Sequence, residues 1–203
     1  MERLGAEYSR QQLLILEYDL AFNYQLGQSR LAYYAGSFDW PNVMVDGFSG
    51  HITGYQPDYY AAYRPLIEAE LSRPSPMDIA ATRTWEGNQL ALSVIITPTC
   101  SSTIENAQVF FAIYTQRKVA MTPFYALQVI GPLPAGSLVP GLRNTYSALS
   151  EPVSAEDRSL VEAIAFVQDP VGAQKEVYQA TMAFEAPPRF VVCLPVVMKG
   201  SAS

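Results

Sequence analysis

Two cysteines, Cys100 and Cys193, and one histidine, His51, are the residues best suited to nucleophilic, redox or metal chemistry. Their spacing speaks against all three. The cysteines stand far apart, fit no zinc-ligand pattern and form no Cys-x-x-Cys redox pair. Free cysteine packs as a small hydrophobe, and that is the first reading of both. A long-range disulfide is the second, since an exported chain can form one. His51 lies in Phe48-Ser49-Gly50-His51-Ile52-Thr53-Gly54 without acidic or histidine company, so it reads as a loop or capping residue. Neither the Gly-x-Ser-x-Gly nucleophile elbow nor a glycine-rich phosphate loop occurs. Asp39, Asp46 and Asp58 lie close in sequence but lack the spacing of an EF-hand loop, and turn capping is the plainer role. We therefore expect no catalytic residue, no cofactor and no metal in this chain.

Tyrosine offers more. Tyr33, Tyr34, Tyr55, Tyr59, Tyr60 and Tyr63 fall within one short region. Core packing with hydroxyls held at the surface is their first reading. An aromatic recognition surface is the second, because tyrosine brings large contact area at small entropic cost.

Composition narrows the partners. The 203 residues are 49% hydrophobic and only 16% charged, enough apolar content for a sizeable core. A net charge of −6, with no Lys/Arg patch to displace phosphate counterions, argues against nucleic acid. No apolar run reaches the roughly 18 residues that a membrane helix needs. The opening Met1-Glu2-Arg3-Leu4-Gly5-Ala6-Glu7 lacks the basic-then-apolar layout of a signal peptide. The tyrosine-rich, weakly charged balance suits a secreted or envelope protein.

The elements that must position these residues divide at Arg73-Pro74-Ser75-Pro76, a linker whose prolines favour extended backbone. Residues 1–73 form one expected domain and 77–198 the other. In the first, Leu13 to Tyr18 begins with a continuous apolar run, as in a strand buried on both faces of a parallel sheet. Gln25 to Ala35 carries Leu26, Arg30, Tyr33 and Tyr34 at helical spacing. Val43 to Val45 is a short strand, and Pro57 to Leu71 a helix in which Pro65 predicts a kink or break. In the second, Asp78 to Trp85 and Gln89 to Thr97 flank Gly87-Asn88 and read as a hairpin. Ala107 to Thr115 and Tyr125 to Ile130 follow as strands, then a hairpin of Leu160 to Gln168 with Lys175 to Phe184. Phe190 to Val197 adds an edge strand. Gly131 to Asp157, rich in Gly, Pro and Ser, reads as a long loop, a candidate for ligand binding. The class expected is α+β, with an α/β segment followed by an antiparallel, immunoglobulin- or fibronectin-like β-sandwich.

Three stretches carry a resemblance: Leu4-Gly5-Ala6-Glu7-Tyr8 leading into the Leu13 strand, Tyr33-Tyr34 through Trp40-Pro41-Asn42-Val43-Met44-Val45-Asp46-Gly47, and Ile164 to Asp169 with Lys175 to Ala180. In this order they resemble the thioredoxin-like bacterial envelope proteins related to the outer-membrane protein Omp twenty-eight. The resemblance implies an incomplete thioredoxin-like segment ahead of the sandwich, and an exported protein that is periplasmic, outer-membrane-associated or secreted. Pro41 then stands as the candidate cis-proline with Trp40 beside it. Thioredoxin-like folds bind extended peptide at that corner, so Trp40, Pro41, Tyr33 and Tyr34 are the expected binding residues.

The departure from the family is large. The strand before the redox helix and both redox cysteines are not in this chain. Without that strand, Leu13 to Tyr18 and Val43 to Val45 lose a shared neighbour. Unpaired buried backbone groups would cost roughly 1–3 kcal/mol each. Direct pairing of the two strands, or a homodimer that covers the edge, follows as an expectation. The functional expectation is a non-catalytic envelope protein that binds or assembles with a protein or peptide. The competing expectation is a piece of a thiol–disulfide oxidoreductase whose Cys-x-x-Cys lies upstream of this chain.

Overall fold

The computed structural model describes residues 2–18, 24–34, 42–47, 50–116, 124–154, 158–172 and 175–186. Trp40, Pro41, Asp39, Cys193 and the expected Phe190–Val197 strand lie outside the described residues.

Alternation builds the larger half. Strands β3 (Met77–Glu86) and β4 (Gln89–Pro98) pair antiparallel along their whole length. Leu90, Leu92, Val94 and Ile96 of β4 are fully buried, while the residues between them are half-exposed. Glu86 pairs with Gln89, so the turn is Gly87-Asn88, with Gly87 at φ +61 where a primed turn requires left-handed backbone.

Five more strands complete the sheet: β5 (Ile104–Thr115), β6 (Tyr125–Leu138), β7 (Asn144–Leu149), β8 (Val161–Gln168) and β9 (Val177–Glu185). The order is β6-β5-β8-β9-β3-β4-β7. Every neighbouring pair is antiparallel except β3 with β9, which run parallel from Ala81–Ala183 to Arg83–Glu185.

The two sheet edges turn toward each other. The Tyr146 hydroxyl on β7 donates to the Ala135 carbonyl on β6 at 2.8 Å. The Gln128 side chain on β6 exchanges hydrogen bonds of 3.1 and 3.2 Å with the Glu151 backbone just past β7. One seven-stranded mixed sheet thus curls close to a barrel around Leu90, Val94, Ile96, Val109, Phe111 and Val167.

The α+β class stands, with strand predominating. Where two antiparallel sheets were expected, the short parallel seam joins all seven strands into one. The expected loop Gly131 to Asp157 is also revised. Strand β6 runs on to Leu138 and β7 lies within that span. Strand β6 carries Pro132 and Pro134 and lies at the sheet edge, where a residue without an N–H is tolerated. The cis peptide bond among the described residues is Gly131–Pro132.

Residues of the smaller half form α1 (Glu2–Glu7), α2 (Tyr24–Tyr33), β1 (Asn42–Val45), β2 (Gly50–Thr53) and α3 (Tyr59–Ser72). Asp58 caps α3 by accepting from the Ala61 N–H at 3.1 Å. The helix runs unbroken through Pro65, against expectation. Tyr63 and Ile67, on either side of that proline, are both buried against Leu4 of α1, and that packing holds the helix together.

The apolar run Leu13–Leu16 is extended but is no sheet strand. Only Glu17 makes a bridge, parallel to Tyr125. The run is half-buried by side-chain packing in two directions. Leu13 joins the cluster of Leu4, Tyr63 and Ile67, whereas Leu14 and Leu16 pack on Phe110, Ile164 and Phe166 of the sheet. Strand β1 pairs antiparallel with β2, from Asn42–Thr53 to Val45–Gly50. Strand β1 thus finds one neighbour within its own chain, β2 rather than the Leu13 run.

Gly131 tests the tight contact between β5 and β6. Its φ is +127, and a Cβ there would sit 2.8 Å from the Val109 carbonyl oxygen. Gly131→Ala is expected to destabilise by about 2–3 kcal/mol in urea denaturation. Gly87→Ala meets no atom within 4 Å and is expected to cost only about 1 kcal/mol, from its left-handed backbone.

Candidate binding site

Between the N-terminal elements and the outer face of β8 and β9 lies a cavity of about 860 Å³. Its floor includes Ile164, Phe166 and Ala180 of the sheet, and α3 contributes Tyr59, Tyr63 and Ile67. Helix α2 contributes Gly27, Arg30 and, just past its end, Tyr34.

Helix α2 buries two residues one turn apart, Gly27 and Arg30. The absent side chain at position 27 and the spacing of three put Arg30 on the face turned inward. Arg30 is only 7% exposed. One Nη atom donates to the Tyr34 hydroxyl four residues later, at 3.1 Å. That hydroxyl also accepts from Gln168 Nε2 at 3.0 Å, and the same amide donates to the Lys175 carbonyl at 2.6 Å. Gln168 has no solvent exposure, so this hydrogen-bonded chain fixes α2 against the end of β8.

Five aromatic rings surround the guanidinium. Its central carbon lies 4.8 Å from the Tyr33 ring centre, 5.1 Å from Tyr34 and 5.3 Å from Phe110. Tyr18 and Phe166 follow at 5.8 and 5.9 Å. The Phe110 and Phe166 rings stack at 5.1 Å. Burial pushes the Tyr18 hydroxyl up to about 12, against the pull of the neighbouring Arg30. Burial likewise raises Tyr33 above the ordinary tyrosine range. Both phenols are therefore neutral at physiological pH.

Two further polar clusters tie the halves together. Glu162 of β8 accepts from Arg10 at 2.6 Å and from the Tyr114 hydroxyl at 2.5 Å, and also from Gln116. Arg73, at the end of α3, contacts Asp46 after β1, Glu70 on its own helix at 2.7 Å, and Glu176 ahead of β9.

Of the expected binding residues, Tyr34 lines the cavity, Tyr33 packs beside the Arg30 guanidinium without lining it, and Trp40 and Pro41 lie outside the described residues. The other tyrosines divide. Tyr59 and Tyr63 stack at 5.7 Å and line the cavity. Tyr60 turns outward, with the Arg3 guanidinium over its ring and its hydroxyl donating to Glu7. Tyr55 is 81% exposed. His51, read as a loop residue, lies in β2 opposite Met44. Cys100 donates its thiol to the Ser102 carbonyl at 3.1 Å. Sequence reasoning placed Arg30 on the α2 pattern but passed over it as a site residue. The available signal was a cation at apolar spacing, four residues after Leu26 and four before Tyr34.

A scan against protein-family models finds no match, and a comparison with curated proteins finds none either. Solved structures do match. HBP35 of Porphyromonas gingivalis aligns over 87% of this chain with a TM-score of 0.58 and 11% identity. The chain spans 64% of that protein's length. A domain of the outer membrane lipoprotein Omp28 from the same organism aligns over 56% of this chain and 93% of its own, with a TM-score of 0.38 and 15% identity. At such identity the HBP35 match establishes a shared fold and says nothing of chemistry.

Asp46 supplies a pH-dependent prediction. Burial raises its carboxyl from 3.8 to about 7, with Arg73 opposing and Glu70 adding to the rise. The folded state then holds a proton that the unfolded chain releases near the ordinary carboxylate value. The resulting stabilisation is complete below about pH 4 and is lost as pH rises through about 7. Denaturation between about pH 4 and 8 is expected to show this decline, and Asp46→Asn is expected to flatten it.

Proposed function

We propose that this chain is a non-catalytic envelope protein whose work is binding, and that its binding site is the cavity beneath the N-terminal layer. The observation that carries the reading is the cavity itself. Its 860 Å³ falls within the roughly 300–1,000 Å³ of ligand sites, and apolar and tyrosine side chains line it together with the buried Arg30 and half-buried Glu17, Asp46 and Glu70. Tyr34, an expected binding residue, is held there by Gln168 rather than free to collapse inward.

The envelope location rests on the sequence resemblance. So does the thioredoxin-like reading of residues 1–73, which the order of the β1–β2 hairpin and α3 supports. A protein or peptide partner, a second copy of the chain included, fits the same reading when it inserts a side chain or terminus into the cavity.

Photo-crosslinking in a bacterial envelope tests the site. A photoreactive phenylalanine analogue at Tyr59, which lines the cavity, is expected to give an adduct. Filling the floor with Ala180→Trp is expected to cut that adduct at least about fivefold, in line with the loss of a closely packed site. Adduct formation that is unchanged by Ala180→Trp, or equal from the exposed Tyr55, would overturn the assignment.

A further inference from the structure

Arg30 poses a charge problem that the described residues do not solve. A buried cation is expensive unless it is paired. The hydroxyls in its reach, of Tyr34 and Tyr18, accept hydrogen bonds but are not carboxylates. The surrounding rings attract a cation through their faces, but they supply no lone pair to an N–H. Arg30 Nε is buried with no hydrogen-bond partner, and among the described residues no carboxylate forms an ion pair with this guanidinium.

The other charged groups lining the cavity are accounted for. Asp46 and Glu70 both engage Arg73. Glu17 accepts from the Phe124 N–H at 3.0 Å. Of the two cations lining the cavity, Arg73 is answered by Asp46 and Glu70, and Arg30 by no carboxylate among the described residues.

We infer that the cavity takes an apolar molecule ending in a carboxylate, with the carboxylate on the Nε edge of Arg30 and the apolar body along the sheet's outer face. This rests on the binding role proposed for the cavity and adds the class of ligand. Guanidinium and carboxylate match as planar forks that share two parallel hydrogen bonds, and Nε supplies one of them. A single cation suits a single negative charge. A phosphate would bring up to two charges and further acceptors to a site with one unanswered cation. Leu14, Leu16, Ile164, Phe166 and Ala180 provide the apolar wall for a hydrocarbon body. Carboxylate binding would give Arg30 a counter-charge that the described residues do not supply and would satisfy its orphan Nε donor.

Calorimetric titration of the full chain with dodecanoate and dodecan-1-ol, both below their aggregation limits, tests this. Dodecanoate is expected to bind at least about tenfold more tightly than the alcohol, the scale of one charge-assisted contact. Arg30→Gln is expected to erase that preference while leaving the alcohol's affinity unchanged. Should Arg30→Gln fail to fold, the wild-type comparison of the two probes still decides. Equal binding of both probes, each blocked by Ala180→Trp, would overturn the carboxylate inference and leave the cavity as a binding site. Dodecanoate binding that Ala180→Trp does not weaken would overturn both. No binding of either probe, with the Tyr59 adduct intact, would overturn the carboxylate inference alone.

Discussion

Strands β5 and β8 are apolar on both faces, and the rest of the molecule follows from that. Val109, Phe111, Ala163 and Val167 point into the curled sheet. Phe110, Ile164 and Phe166 point the other way and are just as buried. Leaving that second face in water would forfeit on the order of 1.5–3 kcal/mol for each large side chain. The N-terminal layer covers it. Leu14 and Leu16 from the extended run, and Tyr33 from α2, supply the apolar contact. The smaller half has a modest cluster of its own around Leu4, Tyr63 and Ile67, so most of its anchorage to the sheet comes from this shared face.

Apolar cover alone would let the layer slide. Polar groups at the junction set its position instead. Gln168 to Tyr34 fixes α2, Arg10 to Glu162 fixes the segment after α1, and Arg73 fixes the end of α3 to the start of β9. Each pairing is directional and partly or wholly shielded from water, so a shifted layer would leave buried donors and carboxylates without partners. These pins hold the layer off the sheet at its centre, where the cavity lies. The same shielding explains the raised Asp46 carboxyl, whose burial outweighs the attraction of Arg73.

Much of the sheet was legible beforehand. The β3–β4 hairpin follows from period-two alternation and a glycine in the turn. Strands β8 and β9 followed from the same logic across Asp169 to Gly172. Other elements were not, each for a physical reason. β6 carries Pro132 and Pro134, which mark a break unless the strand lies at an edge, and edge position is a property of the assembled sheet. The Leu13–Leu16 run reads as a strand because both its faces are apolar. In the fold those faces serve two different cores, with no backbone ladder at all. Arg30 reads as one polar residue on a helix, since its burial depends on rings contributed by β5 and β8, far away in sequence.

The sequence by itself determined the class, the alternating strands, their turns and the supply of tyrosines near the α2 end. Those are local consequences of side-chain period, β-branching and glycine backbone freedom. The tertiary structure alone decided that seven strands join in one curled sheet, that its outer face needs a cover, and that a cavity lined by the buried Arg30 guanidinium is left between them. Periodicity states which faces are apolar. It does not state which distant face each will meet, and the site exists only where those faces meet imperfectly.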